Sequence, residues 1–469
     1  MHQRWMLHVE HFARFKQADV AVRPLTLFVG ENNSGKSYMA SLLWGLLALG
    51  RTFFPTRPGE SRSYRACVDI LLRCQAQARQ LINSGEDGEV SLGAEESQAF
   101  IDWFNELLAK NKKVLVARVF GKSDLEIGDI KLLDYSRVRP LILSFKTEDE
   151  LTRVSAREHL VRLRLADAEN GGRAEELYRM ACYVTWKLVG GDVAAPLYPP
   201  GSQPHIDGEP LFLPASRTGF MLTFRSLVGE ALTIFDAAFD EPTPASQFTL
   251  PVVRFLQALT RTPRIAGATY RDTGEWLEKA LLHGGIQQVL EGSLPDYRYQ
   301  PDTKGAANLP MYLSSSLVAE LAPIVHFLKH RPSFRTLIIE EPEAHLHPQA
   351  QRLMARAIVR LVNNGLPVIA TTHGDTLFQQ INNLVQLHGH PQRKALSAEL
   401  GYQKNEMLDE HDLSVFQFHR EAAATTVRAL PVSAYGVAVQ TFNDPLAALT
   451  SEIYRLQEGL EVAPEGDDA

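Results

Sequence analysis

Cysteine is scarce in this chain, and its few thiols follow no recognised pattern. The 469 residues include three cysteines and no Cys-x-x-Cys pair. An odd number of widely spaced thiols argues against a disulfide-stapled scaffold, and their spacing fits no common zinc motif. We therefore expect Cys67, Cys74 and Cys182 to be ordinary thiols in a reducing cytosol.

Long hydrophobic runs are also missing. The longest apolar run, from Tyr38 to Gly50, has about 13 residues, whereas a helix that crosses a bilayer needs about 20. The first residues, MHQRWMLHVEHF, lack the apolar centre of a signal peptide. We expect a soluble, cytoplasmic protein that does not enter a membrane.

The chain has no excess of positive charge. Its formal net charge is −7, so the protein as a whole is not built to attract nucleic acid, although a local basic groove stays possible. Hydrophobic residues make up 45% and charged residues 22% of the chain, which indicates a folded globular protein.

Short apolar segments alternate with helical patterns along much of the chain. The segments 21–30, 335–341 and 366–373 are rich in strand formers and are followed by helical patterns. Such alternation predicts an α/β fold, in which a mostly parallel sheet carries helices on both faces.

The pattern predicts four parts. A mainly helical insertion interrupts the core, and a C-terminal α/β extension ends in an acidic tail. The predicted boundaries are 1–55 and 206–400 for the core, 56–205 for the insertion and 401–469 for the extension. Locally, we expect a short strand at 113–120, a helix at 271–291 and a serine-opened helix at 309–330.

The first motif that indicates chemistry is GENNSGKS, which matches the phosphate-binding P-loop pattern. Its glycines let backbone N–H groups converge on phosphate oxygens, and it stands between a strand and a helix. Lys36 is predicted to reach the β- and γ-phosphates, and Ser37 to ligate Mg²⁺. The predicted ATP-binding residues are Gly30, Glu31, Asn32, Asn33, Ser34, Gly35, Lys36, Ser37 and Tyr38.

Two further motifs follow buried strands. TLIIEEPEAHLHP places Glu340 and Glu341 at the end of one strand, and VIATTHGD places His373 at the end of the next. Ligands bind at the carboxyl ends of parallel strands, so all three side chains are predicted at the phosphate site. Glu340 would hold the Mg²⁺ shell, Glu341 would orient the attacking water, and His373 would contact the γ-phosphate.

A fourth motif, LSSSLVAEL, begins a helix with small hydroxyl residues. Ser314 or Ser315 is explained equally by a simple helix N-cap. Helix N-termini also bind phosphate, and we expect this one not to serve the phosphate site built by the P-loop of its own chain.

Taken in order, these motifs resemble those of ABC-type ATPases in the OLD, RecF and SMC branch. The resemblance implies an ABC-type core in which ATP lies between the P-loop of one subunit and the signature helix of another. Ser314, Ser315 and Ser316 would then cap the γ-phosphate across a homodimer interface, and residues 344–347 would line it.

The chain departs from that family pattern in several places. Glu340 stands where most P-loop proteins carry aspartate, and the signature has SSS where glycines usually follow the serine. No residue is assigned to the family's Q-loop glutamine. Arg217, in LPASRTGF, is explained equally by contact with a phosphate or partner and by an internal salt bridge.

The motif EEPEAHLHP is especially similar to OLD-like ATPases, but no nuclease pattern follows the histidine strand. The chain is in this respect similar to stand-alone ATPase subunits of anti-phage defence systems, the PARIS type above all. This likeness implies an ATPase that holds a separate effector, such as a TOPRIM-type nuclease, until a phage protein triggers its release. The alternatives are a RecF-like ATPase that clamps DNA and a scaffold stabilised by nucleotide without catalysis.

Overall fold

A computed structural model describes most of the chain. The described residues are 3–146, 160–164, 173–191, 193–197, 208–224, 226–227, 248–261, 269–291, 294–330, 334–422 and 424–457. The fold is α/β and is organised around a nine-stranded sheet. Its strands, in the order in which they lie side by side, are β5 (Asp129–Arg137), β1 (Gln3–Phe12), β2 (Phe15–Ala21), β15 (Thr425–Leu430), β14 (Leu413–Arg420), β3 (Leu25–Gly30), β13 (Val368–Thr372), β12 (Leu337–Glu340) and β8 (Leu211–Leu213).

Five neighbouring strands form the parallel part of the sheet, β14, β3, β13, β12 and β8. Every residue of β3, β12 and β13 is buried. Continuous burial is expected of parallel strands because helices cover both faces of the sheet. Of the remaining four strands, β5, β1 and β2 form an antiparallel wing, and β15 joins this wing to β14, with which it pairs antiparallel.

Helices pack on both faces of this sheet. Successive side chains of a strand point to opposite faces, so Phe28 joins one apolar cluster and Leu27 the other. The described helices are α1 (Lys36–Leu49), α2 (Arg62–Asn83), α3 (Ala94–Phe120), α4 (Arg173–Gly190), α5 (217–224), α6 (Leu250–Leu259), α7 (Arg271–Leu281), α8 (Ser316–His330), α9 (Pro348–Asn363), α10 (Asp375–Gly389), α11 (Arg393–Glu399) and α12 (Gln440–Gln457). The first cluster contains side chains of α1 to α4, and the second contains side chains of α7 to α10.

Two small sheets complete the described part. One joins β4 (Glu89–Ser91), β6 (Ile142–Lys146) and β7 (Leu160–Arg164), and the other joins β9 (Gly284–Glu291), β10 (Leu294–Pro301) and β11 (Leu309–Pro310). Among the residues that the structure describes, no helix combines the length and apolarity required to cross a membrane. Cys67, Cys74 and Cys182 are buried free thiols, as expected of ordinary cysteines.

Three local predictions were wrong. The segment 113–120 is the end of α3, because Leu115, Val116 and Val119 are buried at helical spacing. The helix predicted for 271–291 ends at Leu281, and Gly284 then begins a strand that pairs with β10. A Cβ atom at Gly284 would lie 2.5 Å from the backbone oxygen of Gln300, so the hairpin needs glycine there.

The third correction concerns the serine-opened helix predicted for 309–330. It starts later than expected, at Ser316, after a short 3-10 turn at Met311–Leu313. The Ser315 hydroxyl accepts a hydrogen bond from the backbone N–H of Val318, which fixes the start of α8.

Candidate functional site

The P-loop segment leaves β3 through a backbone that requires glycine. Gly30 has φ +136° and Gly35 has φ +95°, in the region that side chains other than glycine rarely adopt. A Cβ atom at Gly30 would lie 2.2 Å from the carbonyl oxygen of Phe418, and one at Gly35 would lie 2.6 Å from the ring of Phe15. The close neighbours on both sides therefore fix the path of the loop.

Lys36 is the first residue of α1 and is buried inside this loop. Its Nζ atom donates hydrogen bonds to the carbonyl oxygens of Gly30 at 2.8 Å and Glu31 at 2.7 Å. Burial lowers the pKa of Lys36, whereas the nearby carboxylates, Glu341 foremost, raise it. The ammonium group is thus held at the carboxyl end of β3 and faces the acidic side chains of β12.

The outer side of the P-loop carries Ser37 and Tyr38, which are both exposed. Together with Glu340 they line one cavity, which is also lined by Phe120 at the end of α3 and by Lys122 just after it. The Tyr38 ring stacks on the Phe120 ring, with centroids 5.4 Å apart. The segment predicted as an insertion therefore contributes to the wall beside the P-loop. Asn32 and Asn33 lie exposed at the tip of the loop, and the Ser34 hydroxyl donates inward to the carbonyl oxygen of Glu31 at 2.7 Å.

Glu340 has the surroundings of a metal-binding carboxylate. Burial raises its pKa, while the Ser37 hydroxyl and the Ala215 backbone N–H favour the charged form. Its Oε1 atom is buried and makes no hydrogen bond with the described residues. A buried carboxylate oxygen without a donor, next to a serine hydroxyl, fits the oxygen ligands that Mg²⁺ prefers.

Glu341 follows in a left-handed backbone conformation, with φ +45°. Its backbone N–H donates to the carbonyl oxygen of Thr371 on β13 at 2.9 Å. Its side chain is partly exposed, and Oε1 lies 3.7 Å from Nδ1 of His373. Glu341 and His373 therefore stand together at the carboxyl ends of β12 and β13.

Glu343 is a member of the site that the sequence predictions missed. Its Oε1 atom accepts hydrogen bonds from the Thr372 hydroxyl at 2.7 Å, the His373 N–H at 2.9 Å and the Gly374 N–H at 3.0 Å. It lies 3.6 Å from Nδ1 of His373 as well. Glu343 thereby fixes the turn that presents the histidine. A third acid within EEPE was the signal that could have revealed it.

The signature serines lie apart from this cavity. Ser314 donates from its hydroxyl to the carbonyl oxygen of Met311 at 2.6 Å, and Ser315 caps α8. Ser316 is exposed, and so are Tyr312 and Leu313 just before it. None of the described residues lining the cavity of Ser37 and Glu340 comes from this segment. The structure thus brings the P-loop, both acids and His373 together and leaves Ser314, Ser315 and Ser316 at another surface.

The sequence left two explanations open for Arg217, and the structure shows the internal ion pair. The guanidinium is fully buried, and its Nη2 atom lies 2.7 Å from Oε1 of Glu320 on α8. Arg217 lies a few residues after strand β8, which neighbours β12 in the sheet. In the loop between β8 and Arg217, the backbone N–H of Ala215 donates to Glu340 at 3.3 Å. No glutamine occupies the loop 214–216.

One part of this chain is similar to a known protein family. Residues 267–377, less than a quarter of the chain, match the AAA ATPase domain family. That stretch contains the signature, Glu340, Glu341 and His373, but not the P-loop. No curated protein matches the chain.

The solved structures to which this chain is similar include heads of SMC proteins. An SMC head domain from Thermotoga maritima is 10% identical, with a TM-score of 0.32, over 92% of this chain and all of that one. An Smc head domain bound to the C-terminal domain of ScpA, from Pyrococcus furiosus, is also 10% identical, with a TM-score of 0.35, over 96% of this chain and all of that one. A third, an Smc head bound to the C-winged helix domain of ScpA, is 12% identical, with a TM-score of 0.35, over 91% of this chain and 97% of that one.

Proposed function

We propose that this chain is an ABC-type ATPase that binds and hydrolyses Mg²⁺-ATP between two copies of itself. The observation that carries the proposal is the convergence of Lys36, Ser37, Glu340, Glu341 and His373 at the carboxyl ends of β3, β12 and β13. A lysine, two carboxylates and a histidine in this arrangement suit the transfer of a phosphoryl group to water.

Each side chain has a role that follows from its surroundings. Lys36 exchanges its two loop carbonyls for phosphate oxygens, a stronger charge-assisted contact. Mg²⁺, bound near Ser37 and Glu340, would neutralise charge on the phosphates. Glu341 is partly exposed and orients the attacking water, while His373 beside it donates toward the γ-phosphate.

The second half of the site comes, in this proposal, from another copy of the chain. Ser314 and Ser315 lead into a 15-residue helix, which begins at Ser316 and whose N-terminus is accessible. Unpaired N–H groups and the helix dipole make such an N-terminus attractive to a phosphate. The segment 344–347 begins three residues after Glu341, so it would lie at the same dimer interface.

Replacing Glu341 with glutamine tests the proposal. The Glu341→Gln variant should bind ATP normally but hydrolyse it at least about 100-fold more slowly, because the amide cannot accept a proton from water. It should also form an ATP-dependent dimer, which light scattering can measure. The matched control is Glu399→Gln, on the exposed surface of α11. Hydrolysis by Glu341→Gln at the rate of the unchanged protein would refute the role of Glu341, whereas an unchanged protein that binds ATP without hydrolysing it would favour the nucleotide-stabilised scaffold.

A more specific proposal concerns the cellular role of the protein and rests on its sequence. We propose a regulatory subunit of an anti-phage defence system, which holds a separate nuclease effector and releases it when a phage protein is sensed. The support is the OLD-like motif EEPEAHLHP. Immobilised Glu341→Gln protein should retain a nuclease subunit from its native cells only in one nucleotide state. Binding of duplex DNA that falls steeply with salt would favour the DNA clamp instead.

A further inference from the structure

The guanidinium of Arg217 joins two parts of the site that the proposed function assigns to different ATP molecules. Nη1 donates to the carbonyl oxygens of Pro214 at 2.9 Å and Glu340 at 2.6 Å. Nη2 donates to the carbonyl oxygen of Glu341 at 2.9 Å and lies 2.7 Å from Oε1 of Glu320. Both members of the ion pair are fully buried. Water therefore does not weaken their attraction.

Glu320 ties the signature helix to the same loop. Its Oε2 atom accepts hydrogen bonds from the Thr218 backbone N–H at 2.8 Å and from the Thr218 hydroxyl at 2.7 Å. The Thr218 hydroxyl also lies 3.3 Å from the carbonyl oxygen of Ser316. Glu320 stands one helical turn after Ser316, so a shift of the signature serines moves Glu320 with them.

Glu341 sits at the other end of this chain of contacts in a strained conformation. A left-handed backbone at a residue other than glycine persists only when its surroundings hold it. Here the Thr371 carbonyl accepts from the Glu341 N–H at 2.9 Å, and Arg217 donates to the Glu341 carbonyl at 2.9 Å. The Ala344 N–H donates to the same carbonyl at 3.0 Å, so Arg217 supplies one of the contacts that hold the Glu341 backbone and thereby the direction of its side chain.

We infer that Arg217 is a positioning residue that couples the two ATP sites of the dimer. The inference rests on the proposed function, in which one subunit offers its signature serines to one ATP and its Glu341 to the other. When the serines of a subunit close on a phosphate, Glu320 and Arg217 hold Glu341 of that subunit in its working direction. Binding at one site thereby prepares hydrolysis at the other.

Two substitutions and a control test this inference. Arg217→Lys keeps the charge but loses the planar fork that reaches several acceptors at once. Glu320→Gln keeps the size but loses the charge, and it decides the test if Arg217→Lys does not fold. The matched control is Arg360→Lys, since Arg360 forms a similarly buried pair with Glu406 at 2.6 Å, on α9 and away from the signature helix.

The readouts are kcat, KM and the Hill coefficient for ATP, together with the melting temperature. We expect kcat to fall about 10-fold or more in both test variants while KM stays within about 2-fold, because positioning of the base acts on the transition state. The Hill coefficient should lie above 1 in the unchanged protein and fall towards 1 in the variants. Arg360→Lys should lose a similar amount of thermal stability without loss of kcat.

Three results would overturn the inference. They are a kcat within about 2-fold of the unchanged protein in Glu320→Gln, an equal loss of kcat in Arg360→Lys, and a Hill coefficient of 1 in the unchanged protein. An unchanged protein that hydrolyses no ATP would instead refute the proposed function itself. The two failures are therefore distinguishable.

Discussion

Lys36 is the residue whose removal should affect the site most directly. Lys36→Ala deletes the ammonium group that bonds to Gly30 and Glu31 and that we propose for the phosphates. Contacts of a charged donor typically contribute about 1.5–3 kcal/mol each, so we expect ATP affinity to fall about 100-fold or more. Calorimetric titration measures it, with Lys304→Ala, an exposed lysine on a turn, as the control. Unchanged affinity would refute the assignment of the P-loop.

His8 should make the stability of the fold depend on pH. Burial disfavours its charged form, but hydrogen bonds to Asp19 at 2.6 Å and Glu10 at 3.0 Å outweigh this and raise its pKa above the ordinary value. Lys131, opposite on β5, acts the other way. A raised pKa in the folded state means that His8 stabilises the protein below pH 6.5 and that this stabilisation is lost as the pH rises through the raised pKa.

Melting curves of the protein and of His8→Gln between pH 6 and pH 9 test that dependence. We expect the difference in melting temperature to be largest at the acid end and to shrink as the imidazole loses its proton. A difference that grows with pH would contradict the assigned contacts.

The sequence predicted the motif residues because each motif is local. Gly30 to Ser37 and the acids after β12 could be recognised from a few adjacent residues and their chemistry. The contacts of Glu343 with His373 and of Arg217 with Glu340 span 30 and 123 positions. No local pattern encodes such pairs, so Glu343 was missed and Arg217 stayed ambiguous.

At the level of elements, the packing of α1 against α3 leaves no space at Gly45. A Cβ atom there would lie 2.3 Å from Cγ2 of Val119 and 3.2 Å from Cδ1 of Leu115. Overpacking of a core typically costs about 1–3 kcal/mol, so Gly45→Val should lower the free energy of unfolding by that order. Urea titration checks this, and Gly59→Val, which has no atom within 4 Å of the new Cβ, should change little.

Two of the three wrong element predictions share a cause. Residues 113–120 and 284–291 are rich in valine, isoleucine and leucine, and short apolar runs suit both strand and helix. The first continues α3 because its buried side chains meet α1, and the second pairs with β10. The partner that determines the first is far away in the sequence, whereas the second forms a hairpin with the strand that follows it.

At the scale of the whole molecule, ATP should control self-association. Ser316→Glu places a carboxylate at the exposed start of α8, where the proposed dimer brings a phosphate. We expect this variant to stay monomeric with ATP and to lose ATPase activity while it still binds ATP, because like charges repel. Light scattering and filter binding measure these effects. Ser91→Glu, on an exposed strand position, should behave as the unchanged protein.

The order of the sheet could not be predicted from the sequence. The alternating pattern predicted parallel strands and covering helices correctly, but β14 and β15 belong to the segment expected to be an extension. They insert between β2 and β3, and β14 pairs with every residue of β3. Likewise β5, from the segment expected to be an insertion, extends the same sheet beside β1. Pairing over such distances depends on the complete fold.

The place of β14 has a consequence for how the protein is made. Phe418 closes one side of the turn at Gly30, yet the ribosome adds it almost four hundred residues later. Until Phe418 has been added, a nascent chain would carry an unsupported nucleotide loop and an open strand edge. Affinity for nucleotide should then arise only after residue 418 has been made, which delays the self-association that ATP would drive.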